Sequence, residues 1–134
     1  MISWVVQGVR ARSHRPGYRG EAGGAVDLED VDSWLDEARH MGVRSILCLL
    51  ADEQLATYGT LPSGLLGHYR AAGFDVGHVP VQDHLSPPIP PEPLEEVGRV
   101  FDALPKPVLV HCSAGIDRTG AAVEHILRKI ESSS

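Results

Sequence analysis

A cysteine and an arginine with five residues between them, Cys112 and Arg118, are the residues of this chain best suited to chemistry. They follow an apolar run at 107–110 and open a stretch whose pattern predicts a helix to about Lys129. A strand that turns through such a loop into a helix is an anion site, because amides and the helix dipole both favour negative charge. A thiol held there ionises readily and becomes a nucleophile, while an arginine at the rim can hold a tetrahedral oxyanion with two hydrogen bonds. Together these features predict attack on a phosphate monoester.

The backbone amides between the two residues are expected to bind the phosphoryl oxygens together with Arg118. They belong to Ser113, Ala114, Gly115, Ile116 and Asp117. The alternative is that Cys112 is an ordinary buried cysteine, packed as a small apolar side chain. Under that alternative, the presence of His, Cys, Gly, Arg, Thr and Gly at these positions of 111–120 would be a coincidence.

The pattern His-Cys-x5-Arg-Thr-Gly at 111–120 resembles the signature of the protein tyrosine phosphatase superfamily. The small size of the chain resembles the dual-specificity branch, especially its compact atypical members. Residues 2–17 are similar to the first strands of such enzymes, and residues 65–88 resemble the kinase-associated phosphatase type. The resemblance implies covalent catalysis by Cys112, with no cofactor and no metal.

Release of the product alcohol or phenol requires a proton for the departing oxygen, and the signature loop has no obvious donor. Asp83 lies 29 residues before Cys112, in a segment with Pro87 and Pro88. The resemblance implies that this aspartate is the general acid. Two alternatives are that Asp83 only forms a turn and that His84 supplies the proton.

Two further roles come from the resemblance. It implies that the Thr119 hydroxyl donates to the cysteine sulfur, and that His111 orients the loop and favours the thiolate. Asp117 is found beside the arginine in some phosphoinositide and bacterial tyrosine phosphatases. Ile116, however, stands where lipid phosphatases usually have Lys or Trp, which weakens the prediction of a lipid substrate.

Other polar residues have simpler interpretations. Cys48 lies in an apolar strand pattern and is expected to be a core residue, with a resolving thiol for Cys112 as the alternative. The remaining histidines have no paired spacing typical of a zinc site. Four arginines form a basic cluster that is either a solvated surface or a rim attracting phosphorylated substrates: Arg10, Arg12, Arg15 and Arg19.

Composition indicates one domain spanning residues 1–134, with 132–134 as a frayed tail. The net charge of −6 predicts neither nucleic acid nor an anionic membrane as a partner. Two cysteines are too few for a disulfide scaffold, and no signal peptide or membrane-spanning run is visible. We therefore expect a cytoplasmic enzyme that is a monomer or weak oligomer.

Alternating strand and helix patterns predict an α/β fold, with a mostly parallel central sheet of about five strands flanked by helices. Strands are predicted at 2–6, 8–12, 44–50, 74–81 and 107–111. Helices are predicted from an N-cap at Asp27 to His40, at 52–58, at 62–72, from Pro91 or Pro93 to about Leu104, and from the signature segment to about Lys129. Catalytic loops in such folds lie at the carboxyl ends of the strands. The loops after Arg12, Leu50 and Val81 are therefore expected to meet at Cys112.

These observations predict a cysteine-dependent phosphatase acting on phosphotyrosine and also on phosphoserine and phosphothreonine. Its partners would be phosphorylated proteins or small phosphoesters. The first alternative is a phosphoinositide or RNA 5′-phosphate phosphatase with the same chemistry. Two others are a non-catalytic phosphate-binding module, which would be expected to lack the cysteine, arginine or acid, and a rhodanese-type sulfurtransferase, which needs no acid loop.

Overall fold

The computed structural model describes residues 2–6, 10–16, 28–51, 55, 58, 61, 64–82, 89–112 and 117–133, with the backbone only at 117 and 127–133. Five strands and four helices lie within these residues. In chain order they are β1 (Ser3–Val6), β2 (Arg10–Ser13), α1 (Leu28–His40), β3 (Ser45–Leu50), α2 (Gly64–Ala71), β4 (Asp75–Val81), α3 (Pro91–Ala103), β5 (Val108–His111) and α4 (Asp117–Ser133).

The strands form a single sheet in the order β1-β2-β5-β3-β4. β1 pairs antiparallel with β2, and the other neighbours are parallel. Every residue of β3 and β5 is buried, because helices cover both faces of the sheet there. The predicted α/β fold with a mostly parallel five-stranded sheet is confirmed.

Glycine and proline set several helix boundaries where the sequence predicts them. Gly42 has a φ of 84° and ends α1, and the Val43 amide donates to the Ala38 carbonyl across that turn at 3.1 Å. Gly73, with a φ of 97°, follows the end of α2 in the same left-handed conformation. Pro91 begins α3, where its missing N–H costs no helical hydrogen bond.

Two apolar cores lie on opposite faces of the sheet. One contains Trp34 and Leu35 of α1 and Leu65 of α2, and the other contains Phe101 of α3 and Ile126 of α4. The order of the strands places β5 at the centre, between β2 and β3. Residues at the carboxyl end of β5 are therefore held by packing from both sides.

α4 extends to Ser133, beyond the predicted end near Lys129, and it includes two residues of the predicted tail. The predicted N-cap at Asp27 and most of the predicted helix at 52–58 lie outside the described residues. Within the described ranges, no helix combines the length and the apolar character needed to cross a membrane.

Candidate active site

The candidate nucleophile lies immediately after β5, and the candidate arginine lies in the first turn of α4. Cys112 is 2% exposed and Arg118 is 1% exposed, so both are almost completely enclosed. Residues 113–116 and the candidate acid Asp83 lie outside the described residues, as does the side chain of Asp117. The structure therefore describes Cys112, Arg118 and the residues that pack around them.

Arg118 is held by backbone carbonyls at the ends of two strands. Its Nη1 donates to the Val81 carbonyl at 2.7 Å, and it lies 3.4 Å from the Leu49 carbonyl. These contacts join α4 to the last residues of β3 and β4. They fix the guanidinium beside the strand end that leads to Asp83.

His111 forms a hydrogen-bonded chain behind the nucleophile. Its Nδ1 lies 3.0 Å from the Cys112 carbonyl, which can only accept, so Nδ1 must donate. Nε2 then accepts from the Tyr69 hydroxyl at 2.9 Å. Burial lowers the pKa of His111 to about 4, although its bond to the Cys112 carbonyl acts in the opposite direction. His111 is therefore a neutral group at pH 7 that orients the Cys112 backbone.

Trp34 of α1 packs against His111. Its indole N–H donates to the Ser13 hydroxyl at 3.0 Å, at the end of β2. Its ring stacks on Tyr69 with centroids 5.7 Å apart and meets the His111 imidazole edge-on at 5.4 Å. The indole therefore connects the end of β2 with the residue that precedes Cys112.

The segment after β2 approaches the site, as the strand pattern predicts. Arg15 is 5% exposed, its Nη1 donates to the Tyr58 hydroxyl at 3.3 Å, and Tyr58 donates to the Pro16 carbonyl at 2.6 Å. Burial raises the pKa of Tyr58 to about 12, so the phenol remains a donor. Burial is the main cause of the low pKa of His111, and the charge of Arg15 contributes to it.

The four arginines of the predicted basic cluster separate in the structure. Arg12 lies with its guanidinium close to Gly120 in the first turn of α4. Arg15 is internal rather than solvated, and Arg10 is completely buried at the opposite end of β2. Arg19 lies outside the described residues. A single exposed rim is therefore not formed by Arg10, Arg12 and Arg15.

Thr119 follows Arg118 and is completely buried. Its hydroxyl has no hydrogen-bond partner in the described part of the chain. A buried hydroxyl without a partner costs free energy, so an acceptor that arises during the reaction would satisfy it.

Cys48 has the environment of a core residue. It is completely buried, burial raises the pKa of its thiol to about 12, and it packs in the core beside α1 and α2. Cys112 packs in the other core, on the opposite face of the sheet. This arrangement favours the interpretation of Cys48 as an inert core thiol over that of a resolving thiol.

Sequence reasoning did not assign a role to the residues that support the site. Hydrogen bonds to residues distant in sequence are formed by Tyr69, Trp34, Tyr58 and His78. The signal in the sequence that could have identified these residues is a polar aromatic side chain on the face of an element that is predicted to be apolar. Among the described residues, no three His, Cys, Asp or Glu side chains converge as metal ligands do.

Solved structures share this fold, and three of them illustrate the likeness. Kinase-associated phosphatase, crystallised with its catalytic-site cysteine replaced by serine, has a TM-score of 0.69 and 18% identity over 96% of this chain and 73% of its own. The core catalytic domain of the PP-IP phosphatase SIW14 from S. cerevisiae, in complex with citrate, has a TM-score of 0.57 and 22% identity over 99% and 68%. A DUF442 protein from Shewanella putrefaciens CN-32 has a TM-score of 0.63 and 20% identity over 96% and 68%. A comparison with curated proteins found no match.

The fold, with a cysteine at the end of the central strand and an arginine in the following helix, is that of a cysteine-based phosphatase of the dual-specificity type. Residues 27–131 match the model of one family within this class. The chain belongs to that family, Tc-R-P, described as the DSP-PTPase phosphatase of polymorphic toxin systems.

Proposed function

We propose that this protein hydrolyses phosphotyrosine, and also phosphoserine and phosphothreonine, through a phosphocysteine formed on Cys112. The observation that carries this proposal is the placement of Cys112 directly after β5 and of Arg118 in the first turn of α4, with Arg118 oriented by the Val81 carbonyl. An arginine oriented in this way is ready to bind the oxygens of a phosphoryl group before the substrate arrives.

In the first step, the Cys112 thiolate attacks phosphorus in line with the ester oxygen. A sulfur–phosphorus bond forms as the phosphorus–oxygen bond breaks, and Asp83 transfers its proton to the departing oxygen. Arg118 and the amides of 113–118 bind the three remaining oxygens. Charge that develops on these oxygens is stabilised by the guanidinium and by the amides.

In the second step, Asp83 takes a proton from water as the water oxygen attacks phosphorus. The sulfur–phosphorus bond breaks, inorganic phosphate leaves, and the thiolate returns. The buried Thr119 hydroxyl is the donor that we assign to the departing sulfur, because it has no other partner among the described residues. No cofactor enters either step, so chelation of divalent metals is expected to leave the rate unchanged.

The second candidate is a small polyphosphorylated substrate. SIW14, which shares the fold, acts on PP-IP compounds, and Arg12 and Arg15 provide positive charge near the site. We favour phosphoproteins because the net charge of −6 opposes polyanions in general. Phosphopeptides, phosphoinositides and RNA 5′-phosphates assayed side by side would rank these substrate classes.

A thiolate nucleophile requires a reducing environment, so we propose that the enzyme acts in the cytoplasm. We also propose that it is a monomer or weak oligomer. Because its family is one of polymorphic toxin systems, we propose that the phosphatase activity serves such a system.

The proposal is tested with Cys112→Ser. We expect turnover to be abolished, because serine is not ionised at neutral pH, while vanadate still binds the intact amide cradle. A rate within about tenfold of the wild type would contradict covalent catalysis by Cys112, since removal of a nucleophile costs several orders of magnitude.

A further inference from the structure

The pairing of β3 with β4 changes register just before the site. Cys48 pairs with His78, but Leu50 pairs with Val81, so three residues of β4 span the distance covered by two of β3. Pro80 lies inside this irregularity and has no backbone N–H to donate to the ladder. An extra residue of this kind bends a strand and redirects the groups that follow it.

His78 supplies a hydrogen bond at this position. Its Nε2 lies 2.8 Å from the Leu50 carbonyl, which can only accept, so Nε2 is the donor. The side chain is half-buried and connects the two strands where the ladder is irregular. His78 therefore holds the carboxyl end of β3 against β4.

The two carbonyls that contact Arg118 lie close in sequence to the His78–Leu50 hydrogen bond, one on each strand. Leu49 directly precedes the residue that accepts from His78, and Val81 directly follows Pro80. Arg118 Nη1 reaches both carbonyls, at 3.4 Å and 2.7 Å. The orientation of the guanidinium therefore depends on how the ends of β3 and β4 are held together.

The geometry points to His78 as a positioning residue for Arg118: its hydrogen bond to Leu50 fixes the strand ends whose carbonyls aim the guanidinium at the phosphoryl group. His78 touches neither the substrate nor the reacting atoms and acts through the backbone. This inference rests on the proposed function, because it assumes that Arg118 binds the phosphoryl oxygens.

The test compares His78→Leu, which removes the donor, with His78→Gln, whose amide N–H can reach the same carbonyl. Misplacement of a catalytic group by about 1 Å can cost about 10²-fold in rate, so we expect His78→Leu to lower kcat/KM by about 10–100-fold. Vanadate, which imitates the five-coordinate transition state, is expected to bind more weakly by a similar factor, and inorganic phosphate by less. His78→Gln is expected to retain most of the activity and vanadate affinity.

His68→Leu is the matched control. His68 is also partly buried and also uses Nε2, but its partner is Asp32 on α1 and not a strand end. We expect this variant to keep the wild-type kcat, KM and vanadate affinity. Urea unfolding of all the variants separates a loss of stability from a loss of oxyanion binding.

Unchanged vanadate affinity in folded His78→Leu would overturn the inference, as would equal losses in the Leu and Gln variants. If His78→Leu does not fold, His78→Gln is compared with His78→Asn, whose amide is one bond too short to reach Leu50. Equal affinity for vanadate in those two variants would likewise contradict the role. Wild-type protein that hydrolyses no phosphoester would instead contradict the proposed function, so the two failures are distinguishable.

Discussion

The Tyr69 hydroxyl donates to His111 Nε2 at 2.9 Å and so fixes the imidazole that in turn holds the Cys112 carbonyl. Tyr69 is completely buried, and burial raises the pKa of its hydroxyl well above the ordinary value. The phenol therefore keeps its proton at neutral pH and remains a donor. The residue before the nucleophile is oriented by α2, an element distant from it in sequence.

Replacement of Tyr69 by Phe is expected to keep the ring packing on Trp34 and to remove only this donor. His111 Nε2 would become a buried acceptor without a partner, which costs about 1–3 kcal/mol in the free energy of unfolding. We expect kcat to fall as well, because the Cys112 backbone is held less firmly. Urea unfolding and steady-state kinetics measure the two effects.

The control for Tyr69→Phe is the same substitution in a His111→Asn background, which forms a double-mutant cycle. The Phe substitution is expected to cost much less there, because the imidazole is already absent. An equal cost in both backgrounds would show that the hydroxyl acts on some other group.

His111 also predicts a pH dependence of stability. Burial lowers its pKa to about 4, whereas an unfolded histidine titrates near 6.5, so between these values only the unfolded chain binds the proton. Its stabilising effect is therefore complete above about pH 6.5 and is lost as the pH falls toward about 4. At about pH 5 the loss relative to pH 7 should be about 2 kcal/mol.

Urea unfolding of the wild type and His111→Asn at both pH values isolates this contribution from that of other groups. The wild type should lose more stability than the variant on acidification. Parallel losses would mean that His111 is protonated in the folded state, which would contradict the assignment of Nε2 as an acceptor.

Arg10 is a buried cation without a described role in the site. All three of its guanidinium nitrogens lack a hydrogen-bond partner in the described part of the chain, and burial lowers its pKa. Where a buried guanidinium has no counter-charge, its replacement by an apolar side chain of similar length removes a desolvation penalty. We therefore expect Arg10→Met to raise the free energy of unfolding by about 1–4 kcal/mol.

Arg99→Met is the control for Arg10→Met, because Arg99 is exposed and pairs with Glu96 on the surface of α3. Such surface pairs contribute about 0–1 kcal/mol, so little change is expected. A large loss of stability in Arg10→Met would reveal that the guanidinium has a counter-charge in the folded protein.

Asp83→Asn tests the proposed general acid. General acid catalysis contributes about 10²–10⁴-fold, so we expect a loss of this size with phosphotyrosine and a smaller loss with an ester whose leaving group needs no proton. The basic limb of the pH–rate profile should disappear with the carboxyl group. Equal losses for both leaving groups would remove Asp83 from this role and favour His84.

Local sequence signals predicted most of the scaffold. The apolar run at 45–50 indicated a doubly covered parallel strand, and glycines at 42 and 73 indicated where helices end. These features depend on residues that are close together in sequence, so they can be predicted from the sequence pattern. The expected meeting of the loops after β2, β3 and β4 follows from the same pattern and from the geometry of parallel sheets.

Contacts between distant residues could not be predicted in this way. The Arg118–Val81, Tyr69–His111 and Trp34–Ser13 hydrogen bonds join residues 37, 42 and 21 positions apart. Each depends on the register and packing of whole elements, which periodicity does not encode. The resemblance assigned His111 to the loop, but only its burial and its bond to Tyr69 show that it is neutral.

The most direct test of the central claim is to trap the phosphoryl group on the protein. Wild-type enzyme and Asp83→Asn would be mixed with a p-nitrophenyl phosphate substrate, quenched rapidly in acid and analysed by peptide mass spectrometry. We predict one phosphoryl group on the peptide that contains Cys112, with more of it in Asp83→Asn because water attack is slowed. Rapid substrate turnover with no phosphoryl group on Cys112 at any quench time would contradict the account.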